Sequence, residues 1–300
     1  MRKILLSIAV LASSVASAQL LNVGSAEKVN LPAGVSAAQS AMSHDGSFAV
    51  INGSGGLVKV DLATGKTVQL AQSASLQSVE ISEDGSTVVF RQPSYQGKLR
   101  YTALKSVNLN NGVETTLVAP SRNLQGFNVV GNRVNAINKG KITTKALNTA
   151  AVAASAPVAS INRGALQVTV NGVTKNISPQ GTSGHSYLWP SVSPDGTKVL
   201  YYHVGTGAWV CNLDGSNPVK VADIRAAQWY NNEVIVGMDD IDDGSVVTAS
   251  KLVAAKVDGS VRQDLTQVSS MAMYPSVAGN GSRIAFSTPD GELFIINVNK

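Results

Sequence analysis

Trp189-Pro190-Ser191-Val192-Ser193-Pro194-Asp195-Gly196-Thr197-Lys198-Val199-Leu200 aligns without a gap on Tyr274-Pro275-Ser276-Val277-Ala278-Gly279-Asn280-Gly281-Ser282-Arg283-Ile284-Ala285. Almost every position is identical or chemically equivalent, and self-similarity of this kind marks a repeat architecture. Two partial copies lie earlier: Ser43-His44-Asp45-Gly46-Ser47 before Phe48-Ala49-Val50-Ile51, and Ser82-Glu83-Asp84-Gly85-Ser86 before Thr87-Val88-Val89-Phe90. Two eroded copies surround Gly131-Asn132 and Asn231-Asn232.

Each copy reads as a β-hairpin. Asp-Gly, Asn-Gly, Gly-Asn and Asn-Asn tolerate the positive φ of tight turns between twisted strands. The strand that follows is continuously apolar (Val88 to Phe90, Val199 to Tyr202, Ile284 to Phe286), as in a sheet covered on both faces. A second hairpin usually comes next. Val58 to Leu62 turns at Thr64-Gly65 into Thr67 to Leu70, Trp209 to Leu213 turns at Asp214-Gly215, and Leu252 to Val257 turns at Asp258-Gly259. Two hairpins make a four-stranded antiparallel unit of about 40 to 45 residues, which cannot cover its own faces but can when several stack radially.

The expected fold is therefore all-β, a six-bladed β-propeller of four-stranded antiparallel blades, as a single domain over 19–300. The last unit ends with Glu292 to Val298 and is one strand short. Leu20 to Leu31, with Ala26 to Leu31 as its strand candidate, is expected to supply the missing strand and close the ring. One stretch fits poorly. An Ala-rich run over 148–160 precedes a hairpin at Leu166 to Ile177 around Asn171-Gly172, so the third repeat holds either a bulging loop or an extra hairpin.

The motif from Trp189 to Leu200, with its copies at Ser43 to Gly46 and Ser82 to Gly85, resembles the WD40-like PD40 repeat. That repeat occurs in TolB-like periplasmic propellers and in the propeller domains of prolyl-oligopeptidase-type peptidases. The resemblance spans nearly the whole chain after residue 18, although Pro194 and its Asp occur together only once. It implies a six-bladed propeller that serves as a periplasmic, protein-binding scaffold. The peptidase branch is excluded, because no Gly-x-Ser-x-Gly elbow is present and Gly181-Thr182-Ser183-Gly184-His185 has the wrong spacing.

Composition agrees with an all-β chain. Charged residues are 14% and aromatics 5%, with 27 Gly, a balance poor in helix formers that argues against bundles, coiled coils and doubly wound α/β enzymes. Met1-Arg2-Lys3, the apolar Ile4 to Val15 and Ala16-Ser17-Ala18 read as a secretory signal peptide over 1–18, which points to a periplasmic or secreted protein with no transmembrane segment once the leader is removed. Cys211 is the single cysteine, in a half-buried strand pattern, and reads as a quiet buried thiol. The net charge of +5 includes Arg2 and Lys3, and no basic run exceeds Lys139-Gly140-Lys141, so nucleic acid is not an expected partner. A monomer is expected.

Two features carry candidate chemistry. Asp239, Asp240, Asp242 and Asp243 are dense enough to suggest a calcium site, although the pattern is not an EF-hand and an exposed acidic hairpin loop is the simpler reading. No other cofactor is expected. Counting six residues back from each turn Asp or its equivalent gives Gln39, Ser78, Trp189, Arg225 and Tyr274, with His185 and Tyr187 just upstream of Trp189. This set holds no carboxylate pair, so acid–base catalysis is unsupported. His185, Tyr187, Trp189, Arg225 and Tyr274 suit recognition of a peptide or a glycan. The function expected is an exported, non-enzymatic scaffold that binds a protein or peptide in the bacterial cell envelope. The alternative is a carbohydrate-binding or carbohydrate-active propeller that uses the central opening.

Overall fold

The computed structural model describes residues 19–72, 77–148, 156–181 and 186–299; the expected leader lies outside them. Strand β1 (Asn22–Lys28) comes first. Blade one is β2 (Gln39–Met42), β3 (Phe48–Gly53), β4 (Gly56–Asp61) and β5 (Thr67–Ala71). Blade two is β6 (Gln77–Ile81), β7 (Thr87–Gln96), β8 (Leu99–Asn108) and β9 (Glu114–Ser121). Among the described residues, blade three holds β10 (Leu124–Val130), β11 (Arg133–Asn138) and β12 (Lys141–Ala146). Blade four likewise holds β13 (Val158–Asn162), β14 (Ala165–Val170) and β15 (Val173–Asn176). Blade five is β16 (Tyr187–Val192), β17 (Lys198–His203), β18 (Gly207–Asn212) and β19 (Val219–Ala222). Blade six is β20 (Arg225–Trp229), β21 (Val234–Asp242), β22 (Val247–Lys256) and β23 (Arg262–Asp264). Blade seven is β24 (Met273–Val277), β25 (Arg283–Ser287) and β26 (Leu293–Asn299), completed by β1.

The propeller thus has seven blades, not six, and two of them have three strands among the described residues. Among the described residues, the long third repeat forms two three-stranded blades in succession. The closure by the amino-terminal segment is as expected. β1 pairs antiparallel with β26, from Asn22 opposite Asn299 to Lys28 opposite Phe294. Gln263 reinforces the clasp: its Oε1 accepts from the backbone N–H of Leu20 and Leu21, and its Nε2 donates to Leu21 O at 2.8 Å. Leu21 is buried among Val236, Leu252, Phe286 and Ile296 at the junction of blades six and seven.

Strand parity explains how two short blades fit. A four-stranded blade returns the chain to the face where it began, whereas a three-stranded blade leaves it on the opposite face. The next innermost strand must then run in reverse, and three more strands restore the original sense. Contacts on both sides agree. Gly126 in β10 faces Ala159 and Ser160, while Asn128, further along, donates to Pro157 O at 2.8 Å, so β10 and β13 run antiparallel. Pro157, at the start of β13, also lies against Gly196, in the turn after β16 ends. Elsewhere innermost neighbours run parallel, as Ser40 beside Ser276 and His44 beside Asn280 show for blades one and seven.

The repeat motif is a polar turn kernel. Ser43 Oγ donates to Asp45 Oδ1 at 2.7 Å and accepts from Phe48 N, while Asp45 Oδ1 also takes Ser47 N and Oγ. Ser82-Asp84-Ser86 and Ser193-Asp195-Thr197 repeat the arrangement. These bonds hold the three carboxylates below their usual pKa. Buried Ser43, Ser82 and Ser193 need those partners, which is why the spacing recurs.

Apolar clusters fill the junctions between blades. Phe48, Val50, Phe90 and Val107 join blades one and two, and Tyr187, Tyr201, Leu166 and Val168 join four and five. Between blades three and four, among the described residues, a relay of amides stands where the others have an extended apolar cluster. Thr144 Oγ1 donates to Asn135 Oδ1, Asn135 Nδ2 to Asn128 Oδ1, and Asn128 Nδ2 to Pro157 O.

Candidate protein-binding face

The innermost strands of blades two, three, five, six and seven carry a β-bulge near their start, at the end opposite the turn after each innermost strand. In four of them a non-glycine residue is left-handed: Ser78 (φ +48), Trp189 (+49), Ala226 (+47) and Tyr274 (+50). Bulges re-aim side chains, and a bulky residue at positive φ stores about 1 kcal/mol or more of strain. Counting back six residues from each turn therefore found the bulge itself at Ser78, Trp189 and Tyr274. In blade six the bulge falls on Ala226, one residue beyond Arg225; blade one has no register shift at Gln39.

The structure joins two of the expected residues through a third. Trp189 is 44% exposed, and its ring centroid lies 5.5 Å from that of Tyr202. Tyr202 lies against the Arg225 guanidinium, whose Nη2 donates to Asp242 Oδ2 at 2.8 Å and whose Nη1 sits 3.0 Å from Asp240 Oδ2. Asp242 holds Arg225 charged, and Arg225 holds Asp242 ionised. Asp240 is pushed the other way by burial, against the pull of Arg225. Exposed Leu188 and Val204 flank the aromatic pair, since Leu188 pairs with Tyr202 and Val204 N donates to Ser186 O. The result is an apolar patch anchored by a charge clamp between blades five and six.

The remaining candidates separate. Tyr187 is buried; its hydroxyl accepts from Gln180 N and donates to Gly181 O, so it is a core residue of the junction with blade four, on the other side of the sheet from the patch. Tyr274 is half-buried and packs on the core between blades six and seven. His185 lies outside the described residues. The acidic stretch is largely strand: Asp239, Asp240 and Asp242 belong to β21, and Asp243 opens the turn. Asp239 is bound by Arg262 and lies 3.8 Å from Lys251, while Arg225 takes Asp240 and Asp242. Among the described residues no three His, Cys, Asp or Glu converge. Cys211 is buried and its thiol is pushed up to about 12 by burial.

Two features were missed from sequence. Enclosure raises the Glu80 carboxyl to about 7, although Val129 N donates to it at 2.6 Å and Arg91 lies near. Charge is also segregated by blade: from Gly85 to Pro194 there are eleven Lys or Arg and one carboxylate, Glu114. Two concavities, of about 340 and 310 Å³, lie on blade two and its junction with blade three, away from Trp189.

No family model matches the chain, and no curated protein matches it in sequence. Solved structures do match in fold. A chain of the Mitotic Checkpoint Complex crystal structure superposes with a TM-score of 0.61 at 11% identity, covering 100% of this chain and 99% of that one. The structure of putative TolB from Agrobacterium tumefaciens superposes with a TM-score of 0.52 at 15% identity, covering 87% of this chain and 90% of that one. No described helix is long and apolar enough to cross a membrane. At these identities the likeness carries the fold alone, a β-propeller.

Proposed function

We propose that the chain is an exported, non-enzymatic propeller that binds a protein or peptide partner in the cell envelope. The patch of Leu188, Trp189, Tyr202 and Val204 is its contact surface. The carrying observation is Trp189: a large, exposed ring held at positive φ over a tyrosine that lies against Arg225, which is itself clamped by Asp240 and Asp242. Rigid aromatic anchors beside Arg are what protein interfaces favour. The leader-like residues 1–18 support export, and the structural likeness to a TolB chain supports a scaffold role. The carbohydrate reading is weakened by Tyr187, which is buried in the core between blades four and five. Affinity capture from envelope extracts, with the wild-type chain and Trp189→Ala side by side, tests the proposal. A partner retained by the wild type and lost by the variant is expected. Saturable binding on a glycan array with no protein captured would overturn it.

A further inference from the structure

Among the described residues, blades three and four stop one strand short of the other five. Among the described residues, nothing occupies beyond β12 the place that β5, β9, β19, β23 and β1 take in their sheets. The turn Lys139-Gly140 joins β11 to β12 with both residues left-handed, at φ +54 and +71. A two-residue turn fixes the ladder, so Asn138 with Lys141, Ala136 with Thr143 and Val134 with Lys145 are the hydrogen-bonded pairs. The backbone groups of Ile142, Thr144 and Ala146 therefore point out of the sheet edge. Three such residues in a row are what an added strand needs. Blade seven already accepts a strand from the far end of the chain.

Charge says which strand. The stretch from Gly85 to Pro194 has ten more cations than carboxylates, and its one carboxylate, Glu114, is bonded to Lys105. The remainder from Gln19 onward has eleven Lys or Arg against eighteen Asp or Glu. Lys141 and Lys145 lie on the edge strand itself. Lys145 Nζ donates to Leu117 O at 2.7 Å and keeps two more protons to offer. Arg122 and Lys139 line the 310 Å³ concavity alongside, with Tyr101. Lysines on an edge repel a second copy of the same edge and favour a strand that carries carboxylates.

The geometry points to blade three as a β-augmentation site, where an extended acidic segment of a partner protein adds the fourth strand along β12. This surface is separate from the Trp189 patch and shares with the scaffold reading only the premise that the partner is a protein.

A labelled synthetic peptide alternating Glu with Val and Thr, titrated into the full chain by fluorescence anisotropy, tests it. Saturable binding is expected, weakened about tenfold when alternate peptide amides are N-methylated or when Lys replaces Glu. Amide exchange at Ile142, Thr144 and Ala146 should slow in the complex. Ala146→Pro removes an outward-facing N–H of an exposed residue, not a bond to β11, and should weaken binding with little change in Tm. Equal binding of the N-methylated peptide, or binding of a single-stranded oligonucleotide of the same charge as tightly as the peptide, would overturn the inference. So would the absence of saturable peptide binding. If Trp189-dependent capture persists in that case, the scaffold reading stands while this one falls.

Discussion

Blade seven and blade three each form only three strands from their own stretch of chain, yet they end differently. In blade seven the third strand is buried, with Ile295 and Ile296 in two core clusters, and β1 covers its edge from nearly three hundred residues away. In blade three the third strand, β12, has every odd-numbered residue and Ala146 exposed, and its edge carries lysines. The same strand deficit is thus a structural necessity in one place and an open, charged edge in the other. Parity separates them further: blade seven keeps the common strand direction because its fourth strand comes from elsewhere, whereas blade three hands the chain to the opposite face and forces blade four to run in reverse.

The largest effect should come from turning blade seven into a true three-stranded blade. Deleting residues 19–31 removes Leu21 from the core and uncovers β26, which should cost about 3–5 kcal/mol or more and broaden the thermal transition. An unchanged Tm would mean that the two blades are equivalent after all.

The junction between the short blades should be the next most sensitive. A Cβ on Gly126 would stand 2.9 Å from Ser160 Cβ and 3.1 Å from Ala159 O, so Gly126→Val should cost roughly 1–3 kcal/mol in denaturant melts. Gly24, whose nearest obstacle in blade seven is Asn297 O at 3.7 Å, should accept Ala with little loss. Equal tolerance at both glycines would contradict the close approach of β10 and β13.

Glu80 ties a four-stranded blade to a three-stranded one, and its effect depends on pH. Its folded-state pKa of about 7 lies above the ordinary 4.5, so the folded chain holds the proton more tightly. Stability should then fall as pH rises from 4.5 to 7 and stay low above that. Glu80→Gln keeps an acceptor for Val129 N and should raise stability at pH 8 by about 1–2 kcal/mol, with no change at pH 4. A difference of the same size at both values would show that enclosure of the charge is not the cause.

The smallest effect on stability belongs to Trp189. Trp189→Gly loses the contact with Tyr202 but relieves a positive φ, so Tm should stay nearly constant while partner capture is lost.

Much of this was legible in the sequence, for reasons the turns make plain. Ser43, Ser82 and Ser193 must satisfy buried hydroxyls through an Asp two residues on, so the four-stranded blades of one, two and five announce themselves. Blade four showed only as the hairpin from Leu166 to Ile177, not as a blade, because its first turn, Arg163-Gly164, lies on the opposite face and has no Ser–Asp kernel. That reversal is also why the count stopped at six. Trp189 was legible because its distance from the turn is set by strand length. Its partners were not, since Tyr202 and the clamp on Arg225 depend on the pairing of β16 with β17 and of β20 with β21. The basic arc was hidden for a similar reason: its cations are spread over three blades, none adjacent in sequence, and gather only in the ring.

The reversed blade can be tested by disulfide cross-linking in a Cys211→Ser background. Asn128→Cys with Val158→Cys should oxidise readily to an intramolecular disulfide, and Asn128→Cys with Asn162→Cys should stay reduced, because β10 and β13 run antiparallel. Cross-linking of the second pair and not the first would mean that blade four runs with the others, and the seven-bladed ring with two odd blades would have to be abandoned.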